Sequence, residues 1–203
     1  MKSLTKSGFQ SISGLAKRQI FRFENAICVW RFKIICYNPT RPFFGQKQMQ
    51  SNQILETWQI NNRVNLYLLE AIAPENLFAA LASKGRNAGE QFAHIQNVRL
   101  MWLKQAAPEL LENQIKIEKE NAGDKGLLKN ALANSAEAIG QMLLAAIEKD
   151  GKIKGFKPHA TAFLGYLISH EAHHRSQAIL ALKQSGCAID KKVLFGIWEW
   201  GVR

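Results

Sequence analysis

Cysteine is scarce in this 203-residue chain: Cys28, Cys36 and Cys187 are the only three, and no two of them form a CxxC pair. That spacing gives no even disulfide framework, so a reducing compartment fits best and the expected location is the cytoplasm. No run of 18 apolar residues is present, which argues against a membrane span. A glycine-rich phosphate loop, an internal repeat and a period-two strand pattern are also missing, which leaves helices as the building material.

Acidic residues are nearly absent from the first 48 positions. That stretch holds nine Lys or Arg against Glu24 alone, a net +8 of the chain's +11, whereas residues 49–203 hold 18 against 15, a net +3. The second part is therefore close to balanced, and no nucleic-acid partner is expected for it. In the first part Phe9, Ile12, Ala16, Ile20, Phe23 and Ile27 recur at helical spacing among Lys2, Lys6, Lys17, Arg18 and Arg22. A basic amphipathic segment of this kind suits an organellar transit peptide or a membrane-surface helix. The alternative is a dispensable extension upstream of a start at Met49. The chain divides accordingly into a basic extension, 1–48, and one folded domain, 49–203.

Four amphipathic segments follow. Ser51 is expected to cap a first helix whose apolar face is Ile54, Leu55, Trp58, Val64, Tyr67, Leu68 and Ile72, with Asn61, Asn62, Arg63 and Asn65 on its outer polar side, an inward turn of one of these four toward the site being the alternative. The Gly85-Arg86-Asn87 turn precedes a second helix, about Ala88 to Gln105. Leu128, Leu132, Ile139, Met142 and Leu143 mark a third, closed by Gly151, and a fourth runs from about Ala160 to Gln184 and stops at Gly186. Trp198 and Trp200 are expected to cover the open end of the core. The fold class is all-α, a four-helix bundle with a basic N-terminal extension.

Three of the five histidines fall within the stretch His170-Glu171-Ala172-His173-His174-Arg175-Ser176-Gln177. On a helix His170 and His174 leave the same face one turn apart and can share a metal ion. Gln177 returns to nearly that face, where it can orient a ligand ring, while His173 lies about 60° round and takes a supporting or surface role. Zinc and similar ions take three or four protein ligands, so at least one more is needed. His159 lies roughly 16 Å along the helix axis from His170 and cannot reach. His94, in the second helix, completes a three-histidine site.

The run from His170 to Gln177, His94 with Trp102 beyond it, and the Gly196-Ile197-Trp198-Glu199-Trp200-Gly201 ending together resemble the DinB family of metal-binding four-helix bundles. Ser176 stands where that family often has glycine, a mild departure in mid-helix. The resemblance implies a divalent ion, zinc or nickel, held by His94, His170 and His174. It also implies a low-molecular-weight thiol bound by the metal, a small-molecule substrate and a homodimer. Glu171, His173 and Gln177 would then support the ligands, and Arg175 would hold an anionic cofactor tail. The activity implied is a metal-dependent thiol S-transferase or hydrolase. Two other readings stay open: a non-catalytic, structural metal site, and a zinc protease through His170-Glu171-x-x-His174 with Glu171 as general base.

Overall fold

A computed structural model describes residues 44–203; the expectations for the segment before them lie outside the described residues. Among the described residues five α-helices follow in order: α1 (Phe44–Glu70), α2 (Ala88–Ala106), α3 (Lys125–Lys149), α4 (Ala160–Gln184) and the short α5 (Lys191–Gly196). No strand occurs among the described residues, and an isolated bridge between Ile153 and Phe156 pins the turn that precedes α4. α1 and α2 each pack against both α3 and α4, so the two helices first in sequence stand on opposite corners of the four-helix bundle.

The ends of the helices are set by local chemistry. Asn87 opens α2 with a capping box, its side chain accepting from the Glu90 N–H while the Glu90 carboxylate accepts from the Asn87 N–H. Asp124 caps α3, and Lys125 in its first turn donates to the carbonyls of Glu70 and Ile72, closing the C-terminus of α1. His159 caps α4 through Nδ1, which accepts from the Ala162 N–H at 3.1 Å. At Gly89 a Cβ would collide with the Ala122 carbonyl oxygen; without one, α2 lies directly against the loop before α3.

The core has two apolar halves. One gathers Trp58, Leu103, Ile139, Leu143, Phe163 and Leu167; the other gathers Leu68, Phe92, Ile95, Leu128, Leu132 and Leu182. Between them lies a buried polar layer to which every long helix contributes: Asn61, Asn62 and Asn65 from α1, Arg99 from α2, Ser135 from α3, and Glu171 and Arg175 from α4. Arg99 reaches Glu171 with two bonds, Nε to Oε1 at 2.7 Å and Nη2 to Oε2 at 2.9 Å. Its Nη1 donates to Asn62 and to the Leu132 carbonyl. Asn61 and Asn65 each donate to Glu171 Oε2 at 2.6 Å, and both accept from Arg175 Nη1. Arg99 also lies over the Trp58 ring, 4.8 Å from its centroid. Buried charges persist when they are paired and hydrogen-bonded in this way.

Three expectations need correction. α1 starts at Phe44, so Ser51 is a buried residue inside the helix and not its cap. Asn61, Asn62 and Asn65 face inward because the layer needs their amides to bridge Glu171, Arg99 and Arg175; of the four residues assigned to the outer side only Arg63 is exposed. The tryptophans do not close the core. Arg203 holds the tail on α1 by stacking on Tyr67 and donating to the Gly196 carbonyl, and this leaves Trp198 80% exposed.

Candidate metal centre

His94 lies one turn and a residue before Arg99 on α2; His170 and His174 flank Glu171 on α4. Because Arg99 and Glu171 are locked together in the core, the adjacent turns of the two helices are held in register. The structure thus brings the three imidazoles together: ring centroids are 4.5 Å apart for His94 and His174, 4.5 Å for His170 and His174, and 5.4 Å for His94 and His170. One ligating nitrogen from each lies within 4.8 Å of the other two.

The second nitrogen of His174 fixes what the first can do. Its Nδ1 is 2.8 Å from Gln91 Oε1 and 3.0 Å from Gln177 Oε1, and both are carbonyl oxygens that only accept. Nδ1 therefore carries the proton and donates, leaving the lone pair on Nε2. That Nε2 is 3.2 Å from His170 Nε2. Two nitrogens bound to zinc at about 2.0–2.1 Å with tetrahedral angles lie ~3.3 Å apart. The donor set and its spacing therefore fit a divalent cation.

All three rings favour the neutral form that a cation requires. Burial pushes the His174 pKa down to about 4, and the charges of His170, His94 and His173 push the same way while Gln177 opposes them. Burial also lowers His94, helped by Arg86, and His170, where the Glu171 charge opposes it while His173 and Arg86 add to it.

The remaining expected residues occupy distinct places. His173 is exposed, its ring 5.2 Å from that of His174, and it stands outside the group of three. Glu171 is buried in the polar layer. Burial would raise its pKa, but the charge and hydrogen bonds of Arg99, with help from Asn65 and Arg175, hold it below the usual carboxylate value. Arg175 is buried beside it, donating to Asn61 and Asn65. Gln91 was not anticipated. The signal for it was its position three residues before His94, on the same side of α2 and one turn away.

A helical bundle carrying imidazoles from two facing helices defines the class of protein. The DinB family model matches residues 46–190, most of the chain, and the protein belongs to that family. The Gly196–Gly201 ending that contributed to the resemblance lies beyond the matched residues. No curated protein and no solved structure matches the chain.

Gln91→Leu and Gln177→Leu are each expected to weaken metal binding about 10–100-fold, the usual effect of removing a partner that orients a ligand ring. Competition against a chromophoric chelator measures this, with the fold checked by circular dichroism.

Proposed function

We propose that His94, His170 and His174 hold one divalent cation, zinc or nickel given three imidazole donors, in a metal-dependent thiol S-transferase or hydrolase acting on a small molecule. The observation that carries this reading is the convergence of three neutral imidazoles from α2 and α4. When bound, a divalent cation supplies the Lewis acidity that makes a thiol or a water acidic near neutral pH. The protein's own work is done by named groups. Gln91 and Gln177 hold the His174 ring and its tautomer, and burial keeps the three imidazoles unprotonated. His94 lines an open cleft on one side of the site. Homodimerisation, carried over from the resemblance, is part of the same reading.

The geometry weighs against both rivals. Glu171 is buried and accepts four hydrogen bonds from Arg99, Asn61 and Asn65, which commit its carboxylate to the polar layer and keep it from serving as a base toward water. A purely structural ion generally has four protein ligands, whereas only three residues gather here among those described.

Cobalt(II) replaces zinc and makes thiol ligation visible. Adding 2-mercaptoethanol to the cobalt-loaded wild type should produce a sulfur-to-metal charge-transfer band that is absent in His94→Ala. A fully loaded protein whose spectrum ignores the thiol would reduce the reading to metal binding alone.

A further inference from the structure

Beside His94 opens a cleft of about 660 Å³, within the usual range for small-molecule sites. One wall is the N-terminal half of α2. The other is the segment around Ile117, strapped to α2 by Asn97, whose side chain donates to the Ile117 carbonyl and accepts from its N–H. Gln96 adds a bond to the Ile115 carbonyl. Both walls are thus fixed before any ligand arrives.

The charges lining this cleft do not cancel. Lys116 pairs with Glu118 at 2.8 Å, and Lys119 faces Glu90 at 3.5 Å, while Glu90 is further committed to the cap of α2. Arg86 is the fifth charged residue of the lining; it is exposed and has no ion pair among the described residues. It sits in a tight turn, between Gly85 at φ +127°, which other residues rarely adopt, and Asn87, which caps α2. Arg175, to which the resemblance assigns an anionic tail, is mostly buried and donates to Asn61 and Asn65.

We propose that the cleft selects ligands bearing a carboxylate, with the Arg86 guanidinium binding that group while the ligand's donor atom reaches the three-histidine site. The proposal rests on the metal reading above. A planar guanidinium matches a carboxylate with two parallel hydrogen bonds, and a divalent cation nearby makes the cleft still more favourable to an anion.

Cobalt-loaded wild type, Arg86→Ala and Arg86→Lys are titrated with 3-mercaptopropionate and 2-mercaptoethanol, and separately with imidazole-4-acetate and imidazole. The wild type should favour the carboxylate member of each pair about tenfold more than Arg86→Ala does, as expected for one charge-assisted contact, with Arg86→Lys in between. The difference should shrink as salt is added. Thiols that bind with the same preference in wild type and Arg86→Ala would overturn the cleft and leave the thiol reading standing. An Arg86-dependent preference confined to the imidazole pair would sustain the cleft and sink the thiol. A protein that takes up no cobalt would overturn both.

Discussion

Glu171→Ala is expected to cost the metal-free protein about 3–5 kcal/mol, the range for removing one side of a buried ion pair. The carboxylate is the only acid in a layer that also contains Arg99 and Arg175. Its loss leaves two guanidinium groups without their counter-charge and strips the Asn61 and Asn65 amides of an acceptor. A domain with a margin of about 5–15 kcal/mol would keep little stability. Urea unfolding followed by circular dichroism measures the loss. Replacing the whole layer with apolar residues, Asn61, Asn62 and Asn65 together with Arg99, Glu171 and Arg175, should recover much of it, because a packed apolar layer leaves neither a desolvated charge nor an unpaired amide. A Glu171→Ala protein as stable as wild type would mean that the layer contributes little to holding the helices. If Glu171→Ala does destabilise the fold, a loss of activity in that variant reflects unfolding and not the removal of a general base.

The second large effect concerns the metal. Replacing His94, His170 or His174 by alanine is expected to reduce divalent-metal affinity by more than about 100-fold, beyond the upper end of what supporting residues contribute. His173→Ala should change it only slightly, because that ring lies outside the converging group. Elemental analysis of the purified variants, followed by chelator competition, provides the comparison. The His94 variant is the sharpest test, since this residue alone comes from α2. Similar losses for all four variants would break the assignment.

The helical pattern was readable because apolar residues recur at three- and four-residue intervals, and the four long helices formed where that period runs. The histidines were readable for the same reason: helical periodicity puts residues four apart on one face. The polar layer was harder, yet its trace is visible in hindsight. Asn61 and Asn65 continue the apolar stripe from Trp58 to Leu68, and Arg99 falls on the stripe between Ile95 and Leu103. Glu171 likewise stands between Leu167 and Ala178. A polar side chain in an apolar register demands a partner, and composition alone cannot say from which helix it comes. Gln91 escaped because its role depends on a ring carried by α4. Arg86 escaped because a residue just before a helix cap carries no periodic signal. The exposure of Trp198 depends on Arg203 stacking on Tyr67, a pairing between distant parts of the chain.

The charged stratum between the two oily halves also acts as a key against misthreading. Four cylinders lined mostly with leucine, isoleucine and alanine could slide past one another by a turn and still match oil to oil. Here, shifting α4 by one turn against α2 would present Leu167 or Arg175 to the Arg99 guanidinium, setting that cation against hydrocarbon or against a like charge. The alignment that satisfies Arg99 is also the one that brings residue 94 opposite the rings at 170 and 174. Assembly of the imidazole cluster is therefore a by-product of the bundle finding its only electrically tolerable alignment.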